Sequence, residues 1–262
     1  MERAKLTALL PAGNEEKNIA ACIDSVAFAD EILVVVDAAS TDQTEAIARE
    51  KGARVLVHEY VNSAAQKNWA IPQASHPWVL IVDSDERVTP ELKEDILNVL
   101  QNDGPADGYS MNRINHFAGQ RIKGCGWQRD KVLRLFRRDR GRYQDRHVHA
   151  DIIASDDKPF VTSHLRGCFL HYTFESFSQY LKKHSRYAAW AGEDRAVHAG
   201  PVGLGELAVR PLLRFLRQYV MYGGFRDGVA GFMICWMAAH SVFLKYAHVW
   251  EKQRELRKKN RG

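Results

Sequence analysis

Short apolar runs alternate with helix-like stretches through the N-terminal part of the chain, and this alternation constrains the fold more than any other feature. The runs are LTALL (6–10), EILVVV (31–36), ARVLV (53–57) and WVLIV (78–82). Uninterrupted runs rich in β-branched residues are typical of strands that are buried on both faces of a sheet. Between them, helices are predicted over roughly 15–27, 42–51 and 64–74. The pattern predicts an α/β fold with a Rossmann-like, mostly parallel sheet and helices on both faces.

Two predicted helix ends carry capping residues. Gly52 follows Lys51 at the end of the second helix, where a glycine commonly closes the last turn. After the fourth run, TPELKEDILNVL begins a helix with Thr89 as the N-cap and Pro90 at the first helical position. Helices that are fixed between strands in this way predict a parallel sheet, and such sheets bind ligands beyond the carboxyl ends of their strands.

The composition and the predicted secondary structure change at two points of the sequence, and these points give the predicted domain limits. From about residue 106, segments such as KVLRLFRRD and RYQDRHVHADI predict strands and loops that are rich in arginine and histidine. From about residue 175 the chain is mainly helical in pattern. We therefore predict three parts: 1–105, 106–174, which completes the first part's domain, and a helical C-terminal region, 175–262.

Asp83 and Asp85 follow the fourth apolar run directly, at the edge where a parallel sheet binds its ligand. If the backbone stays extended, alternation aims both carboxylates the same way. Paired carboxylates suit Mg²⁺ or Mn²⁺, which complete their coordination with water and phosphate oxygens. We predict that this pair binds a metal ion and a diphosphate; the alternative is a solvated strand end.

A second acidic motif, VVVDAASTDQT, follows the second run. Asp37 stands at the strand end, where its carboxylate can accept hydrogen bonds from a nucleobase or ribose. Asp42 precedes the next helix, and capping is the favoured interpretation for it.

The first run leads into PAGNEE, whose proline and glycine predict a turn. Asn14 or Glu15 either caps the next helix or contacts a ribose. In AAQKNWA, Gln66 and Lys67 lie near the start of a helix, where an ammonium group and backbone amides suit an anion. An ordinary surface lysine is the alternative for Lys67.

Charge and cysteine content narrow the function classes. The chain has 37 Lys and Arg against 32 Asp and Glu, a net charge of +5, which suits anionic ligands or membranes but is too small to indicate nucleic-acid binding. The four cysteines are widely spaced, which predicts free thiols in a reducing compartment. No signal peptide is visible at the N-terminus.

Taken in order, six segments resemble the inverting glycosyltransferases of family 2, and in particular the bacterial branch that builds lipopolysaccharide core. These segments are PAGNEEKNI, ADEILVVVDAASTDQT, AAQKNWA, DSDERVTPEL, GCGWQRDKVLRLFRRD and HVHADI. The resemblance covers residue 4 to about 250. It implies a GT-A fold whose 1–105 half binds a nucleotide-sugar and whose 106–174 half faces the acceptor.

The resemblance also implies roles for individual residues. Asp37 would contact the base, and Asp83 and Asp85 would serve the ribose and the metal, Mg²⁺ or Mn²⁺. The nucleotide-sugar-binding set is Pro11, Ala12, Glu15, Asp37, Gln66, Lys67, Asp83 and Ser84. The donor would be a UDP-sugar or an ADP-heptose, and the acceptor a lipopolysaccharide-core or other lipid-linked glycan.

An inverting transfer needs a base for the acceptor hydroxyl, and the resemblance points to the segment GWQRD. Asp130 is the predicted base; an ion pair with Arg129, Arg134 or a neighbouring lysine is the alternative. The mechanism resembles that of glycoside hydrolysis in its oxocarbenium-like transition state.

Two positions depart from the family pattern. Ala150 stands where the family has an acid after Val148 and His149, so that Asp145 or Asp151 is a candidate substitute. His149 itself is a metal ligand, a phosphate contact or a packed core histidine. The family's Asp-Ser-Gly-Ser is Asp37-Ala38-Ala39-Ser40 here, which removes a hydroxyl group.

The C-terminal helices carry a second prediction. In VRPLLRFLRQYV, Arg210, Arg214 and Arg217 share one helical face. Such a helix either lies on an anionic membrane or packs inside the acceptor domain. VAGFMICWMAAHSVFL (229–244) is short for a membrane span. We expect a cytoplasmic enzyme that docks peripherally on the inner membrane.

Other functions fit fewer of these features. A nucleotidyltransferase would want a glycine-rich basic loop after the first strand, and PAGNEEKN has one glycine. A phosphatase of the Asp-x-Asp type would carry its acids on the first strand. A degenerate transferase that binds nucleotide-sugars without turnover would keep every motif and lack activity.

Overall fold

The computed structural model describes residues 2–145, 150–174, 176–196 and 200–259. Its strands are β1 (Leu6–Ala12), β2 (Glu31–Asp37), β3 (Arg54–His58), β4 (Trp78–Ile81), β5 (Glu86–Val88), β6 (Gly108–Phe117), β7 (Gln120–Arg121), β8 (Lys131–Arg137), β9 (Gly141–Tyr143), β10 (Ile152–Ala154) and β11 (Thr162–Phe174). Its α-helices are α1 (Ile19–Ser25), α2 (Thr44–Glu50), α3 (Ser63–Ala70), α4 (Pro90–Gln101), α5 (Phe177–Ala196), α6 (Arg210–Leu216) and α7 (Gly228–Lys259).

The chain divides into two compact units. The first unit comprises residues 1–114 and 130–171, and the second comprises 115–129 and 172–262. The segment 115–129 thus groups with the C-terminal helices.

Four parallel strands, in the order β3-β2-β1-β4, form one side of the sheet in the first unit. Ala12 at the end of β1 lies opposite Val36, next to Asp37 at the end of β2. The order runs from β1 through β2 to β3 in one direction and places β4 on the other side of β1. The strand order therefore reverses between β1 and β4, and a crevice at such a reversal is where α/β sheets bind ligands.

Alternate residues of these strands fill two separate cores. Leu10, Val34 and Leu80 pack on the face that is covered by α1, α2 and α4. Their neighbours Leu9, Leu33 and Ile81 pack on the other face, with residues of α3. Burial on both faces explains the unbroken apolar runs, since every position of such a strand is removed from water. The predicted α/β fold with helices on both faces of the sheet is confirmed.

The remaining strands of the sheet add an antiparallel part. β8 pairs antiparallel with β4, and β6 with β8. Beyond them the order continues through β11 to β5, with β11 antiparallel to β5. β9 and β10 form a separate two-stranded sheet.

The capping predictions are confirmed. The Thr89 hydroxyl accepts a hydrogen bond from the Leu92 amide at 3.3 Å, and α4 begins at Pro90. Gly52 has φ +79°, the left-handed conformation that favours glycine after a helix, and α2 ends two residues earlier at Glu50. The first three helices are shorter than predicted. The residues that flank α1 form turns, and α3 continues as a 3-10 helix over Ile71–Gln73.

The second unit is built mainly from helices around an aromatic core. Phe117, Tyr180 and Ile234 are buried together, and the Tyr180 hydroxyl donates to the Ile234 carbonyl at 3.3 Å. The helix α6 lies between two π-helical turns, Gly205–Val209 and Arg217–Met221. The apolar stretch 229–244 lies inside α7, which is 32 residues long and so twice the length of that stretch.

Candidate active site

The switch point between β1 and β4 is closed by a hydrogen bond between predicted ligand-binding residues. The Ser84 hydroxyl, which is buried, donates to the Pro11 carbonyl at 2.9 Å. Ala12, the last residue of β1, is also buried. The ends of the two strands are thereby held together at the edge where the ligand is expected.

The segment Asp83–Glu86 forms a turn, and this corrects the expectation of an extended backbone. The Glu86 amide donates to the Asp83 carbonyl at 2.8 Å. Arg87 supports the turn by donating to the carbonyls of Ser84 at 2.8 Å and Asn18 at 3.0 Å. Strand alternation therefore does not set the directions of Asp83 and Asp85; the turn does.

Both carboxylate oxygens of Asp83 are held by cations from neighbouring elements. Lys67 Nζ lies 2.8 Å from Oδ1, and Arg134 on β8 contacts Oδ2. Burial raises the pKa of Asp83, but Arg134 and Lys67 outweigh burial and hold this pKa well below its usual range. Asp83 is accordingly an ion at neutral pH, fixed in one orientation.

Glu86 lies at the centre of the charged cluster and is fully buried. One of its oxygens contacts Arg113 at 3.1 Å and Arg134 at 3.4 Å, and the other accepts the Asp83 amide at 3.0 Å. A buried carboxylate is tolerated only when its charge and lone pairs are satisfied in this way. Glu86 therefore ties the acidic turn to β6 and β8.

The second aspartate of the motif has a different partner. Asp85 Oδ2 lies 3.4 Å from Nε2 of His171, a buried residue of β11 that lies opposite Glu86 across the strand pair. The carboxylate oxygen is a donor that suits Mg²⁺ or Mn²⁺, and the imidazole nitrogen is a donor for transition metals.

Asp130 forms a bidentate ion pair, but with a residue that the sequence did not suggest. Arg113 Nε and Nη2 donate to the two carboxylate oxygens at 2.9 and 2.8 Å. The Arg113 amide also donates to the Asp130 carbonyl at 2.9 Å. Since Arg113 also contacts Glu86, the candidate base and the acidic turn belong to one network in the first unit.

Lys67 is not a surface lysine. It is 4% exposed, and its ammonium lies 5.4 Å from the centre of the Tyr143 ring as well as beside Asp83. Its neighbour Gln66 is also buried, and the side-chain amide nitrogen Nε2 has no hydrogen-bond partner among the described residues. An unsatisfied buried donor of this kind is rare in native proteins, so this nitrogen is a candidate donor to a ligand oxygen.

The carboxyl end of β2 forms a second polar cluster. Asp37 Oδ1 accepts the amides of Ala39 at 3.1 Å and Tyr60 at 3.2 Å. A Cβ at Gly13 would lie 3.3 Å from Asp37 Cβ, so the β1 loop passes close to the β2 end. The position of Asp37 as the last residue of β2 agrees with the predicted edge of the sheet.

Asp42 and the loop after β1 stabilise each other. Asp42 accepts the amides of Thr44 and Glu16, each at 3.0 Å. Burial raises the pKa of Asp42, but these hydrogen bonds and that of the Thr44 hydroxyl outweigh it and lower the pKa below its usual range. The side chain of Glu15 accepts from Asn18 Nδ2 at 2.9 Å, which places it at the start of α1.

The predicted substitutes for the missing family acid lie apart from these contacts. Asp145 and Asp151 are exposed, and Ala150 is partly buried. His149 and Val148 lie outside the described residues.

The sequence analysis missed three residues of the network: Arg113, Glu86 and His171. Arg134 was considered only as a partner of Asp130. A signal existed for Arg134, because a lone arginine inside the apolar strand KVLRLFR needs a buried anion. No spacing rule links Arg113 or His171 to the acidic turn, because the sheet topology alone brings their strands together.

The donors of the acidic turn fit a divalent cation only in part. Within the part of the chain that the structure describes, no group of three or more His, Cys, Asp or Glu side chains converges. Asp85 and His171 provide two donors, and Mg²⁺ or Mn²⁺ commonly takes its other ligands from water and phosphate. Asp83 is engaged by Lys67 and Arg134, which makes Asp85 the better metal-ligand candidate of the two aspartates.

The model of glycosyl transferase family 2 matches residues 7–157, more than half of the chain. The protein belongs to this family. The predicted resemblance is confirmed, and with it the glycosyltransferase class; the topology described above agrees with the GT-A fold expected for the family.

Several curated proteins are similar over nearly the whole chain. The lipopolysaccharide core biosynthesis glycosyltransferase LpsC of Rhizobium meliloti is 28% identical over 253 residues, which cover 94% of this chain and 92% of LpsC. An uncharacterized glycosyltransferase of Rickettsia typhi, RT0209, is 26% identical and covers 98% of this chain and 89% of its own. Among solved structures, residues 1–349 of S. aureus TarS give a TM-score of 0.42 at 17% identity, covering 96% of this chain and 91% of that one.

Proposed function

We propose that this protein is a metal-dependent, inverting glycosyltransferase that moves a hexose or heptose from a nucleotide-sugar to a lipopolysaccharide-core or other lipid-linked glycan. One observation carries the proposal: Asp85, which contacts His171 of β11, shares a turn with Asp83, and Lys67 and Arg134 fix that turn at the switch point of the sheet. Family membership supports the transferase class, and the similarity to LpsC supports the choice of acceptor.

The donor would bind along the carboxyl ends of β2, β1 and β4. Asp37 would accept hydrogen bonds from the base, since its carboxylate stands at the strand end. Pro11, Ala12, Glu15 and Ser84 would contact the nucleoside. The unsatisfied Gln66 amide is a donor for an oxygen of the nucleotide-sugar.

Asp85 and His171 would hold the divalent cation, Mg²⁺ or Mn²⁺. When bound, the cation offsets the charge that grows on the departing diphosphate. Lys67 and Arg134 contribute differently: both remain paired with Asp83 and fix the turn that presents Asp85. Because these contacts are buried, they cost little reorganisation when the donor binds.

Asp130 would take the proton of the acceptor hydroxyl while that oxygen attacks the anomeric carbon and the bond to the diphosphate breaks. The bidentate contact with Arg113 holds both carboxylate oxygens in a fixed plane. Arg113 also contacts Glu86, so the orientation of the base is tied to that of the acidic turn. This arrangement suits a single displacement, which inverts the anomeric carbon.

The direct test is turnover of UDP-glucose, UDP-galactose and ADP-heptose with a core oligosaccharide acceptor, with and without Mn²⁺. We expect one donor to be used, only with the metal, and product whose anomeric configuration, read by NMR, is opposite to the donor's. Asp24→Asn, at an exposed residue paired with Lys51, is the matched control for Asp85→Ala. A product that retains configuration would refute the single displacement, and turnover of a nucleoside triphosphate with a sugar phosphate would indicate a nucleotidyltransferase.

The proposed acceptor also suggests where the enzyme is located in the cell. A lipid-linked acceptor is held at a membrane, so the proposed enzyme acts in the cytoplasm, peripherally on the inner membrane. Fractionation of cells, followed by extraction of the membrane fraction with high salt, tests this location.

A further inference from the structure

The helical segment around α6 exposes an unusual number of large apolar side chains. Leu212 and Leu213 are each 57% exposed, and Val209, Leu216 and Val220 are exposed as well. An amphipathic helix of a globular protein normally buries such residues against a core. Here the large apolar side chains of α6 and its flanking turns remain accessible to solvent.

The helix α7 extends this surface with aromatic side chains. Phe232, Trp236 and Phe243 are exposed, and Phe215 of α6 packs edge-on against the first two at 5.7 and 6.0 Å. Between α6 and α7 lies an open groove of about 410 Å³ whose lining is almost wholly apolar, including Leu212, Phe215, Trp236 and Phe243. We call the surface formed by these residues and the exposed ones of α6 the apolar face.

The charges around the apolar face are mainly positive. Between residues 206 and 250 the sequence has five Lys and Arg and two acids, Glu206 and Asp227. Glu206 is 30% exposed and pairs with Arg210 at 3.6 Å. Asp227 is buried and accepts the amides of Lys123 at 2.8 Å and Gly124 at 2.7 Å, so it offers no charge to the surface. Arg210, Arg214 and Arg217 are exposed among the apolar residues. An apolar surface with interspersed arginines and an excess of positive charge complements an anionic phospholipid bilayer.

We propose that the apolar face docks on an anionic phospholipid bilayer, with its aromatic and leucine side chains at the acyl boundary and its arginines at the phosphates. The proposal identifies the surface by which the proposed transferase would contact the membrane, and it rests on that proposed function. Trp favours the interface between hydrocarbon and headgroups, and Trp, Phe and Leu are typical of the apolar side of helices that lie in that interface.

The contacts of α7 favour docking over insertion. Within the described residues, one helical stretch, Gly224–Lys258, is long and apolar enough to cross a membrane by length and composition. However, 44% of its apolar 18-residue segment is buried inside the protein. Ile234 and Cys235 pack in the aromatic core of the second unit. A spanning helix would have to give up that core.

The test is flotation of the purified full-length protein with vesicles of phosphatidylcholine alone and of phosphatidylcholine mixed with phosphatidylglycerol, without donor or acceptor. We expect binding to the mixed vesicles only, and release at high salt. Replacing Arg210, Arg214 and Arg217 by Gln together should lower the partition coefficient on the order of a hundredfold, since each cation near the surface contributes about a factor of five. Changing Arg49, Lys51 and Arg54 to Gln alters the net charge equally, and this control should bind as the wild type does.

A second variant tests the apolar contribution. Leu212→Ser with Trp236→Ser should lower binding by at least about tenfold, while Val61→Ser, at an exposed residue of the first unit, should not. Unfolding curves of all variants separate lost docking from lost folding.

Equal binding to both vesicle types, binding that the variants leave unchanged, or extraction only by detergent would overturn the proposal. So would a stable dimer in which Trp236 fluorescence is shielded, because the face would then join two copies. Nucleotide binding, measured on the same samples, tests the transferase proposal separately from the docking proposal. A protein that binds UDP with Mn²⁺ but no vesicles refutes the docking alone. A protein that binds vesicles but no nucleotide refutes the transferase proposal alone.

Discussion

In the first unit, Lys67 and Arg134 are buried and each contacts the same carboxylate, Asp83. In the second unit, Arg210 and Arg214 are exposed among apolar side chains. Both regions contain cations, but those of the first are buried and paired with carboxylates, whereas those of the second face solvent.

The difference teaches what each set of charges can do. A buried ion pair loses hydration, so it persists only where its geometry is well satisfied, and it then fixes positions. An exposed cation contributes little to folding and remains available to an anionic partner. We therefore assign positioning to the charges of the acidic turn and recognition to those of the apolar face.

Breaking the buried network should give the largest loss of stability. Arg134→Met removes a partner of both Asp83 and Glu86 and leaves their charges inside the protein. We expect the free energy of unfolding to fall by about 3–5 kcal/mol, measured by urea denaturation. A loss as small as that of an exposed pair would show that the buried network does not depend on this residue.

The candidate base should give a large effect on turnover with no effect on nucleotide binding. Asp130→Asn keeps the shape and one hydrogen-bond acceptor for Arg113 but removes the base. We expect turnover to fall on the order of a hundredfold, the lower end of the range for general bases. Unchanged turnover would move the base elsewhere, with Asp151 as the next candidate.

Acid should weaken the first unit through Asp83. Since the folded pKa of Asp83 is depressed, its stabilising contribution is fully present above the unfolded value of about 3.9 and is lost as the pH falls below that value. Urea midpoints measured from neutral pH down to about pH 3 should fall more steeply in the wild type than in Asp83→Asn. Asp103→Asn, at an exposed aspartate, is the control that should follow the wild type.

The smallest effect should come from an exposed pair. Arg49 Nη2 lies 2.8 Å from Glu45 Oε1, and the two side chains are 56% and 44% exposed. Arg49→Gln should change the free energy of unfolding by at most about 1 kcal/mol, and less at high salt. A loss comparable to that of Arg134→Met would remove the distinction between buried and exposed charges.

The parallel strands of the first unit were predictable because a strand that is buried on both faces is apolar at every position. Predicted and observed limits differ by two residues at most for β1 and by one for β2, β3 and β4. Helix limits were less accurate: 15–27 was predicted for α1, which spans Ile19–Ser25, while residues 16–18 and 26–28 form turns.

The site was predictable only where it follows strand ends. Asp37, Asp83 and Asp85 were predicted because their positions after apolar runs place them at the expected ligand edge. Lys67 was predicted as an anion contact, but its pairing with Asp83 was not. Arg113 and His171 were not predicted, since they come from distant strands that pairing across the sheet brings together. The turn at Asp83–Glu86 was missed because its polar residues read equally well as an extended strand end.

The central claim is that the acidic turn is a metal and diphosphate site, and calorimetry tests it most directly. UDP, ADP and GDP are titrated, with and without Mn²⁺, into the wild type, Asp85→Ala, His171→Ala and the control Asp24→Asn. The account predicts metal-dependent binding of one nucleotide to the wild type and the control, and its loss in the other two variants. No binding of any nucleotide, or unchanged metal-dependent binding in Asp85→Ala, would contradict it.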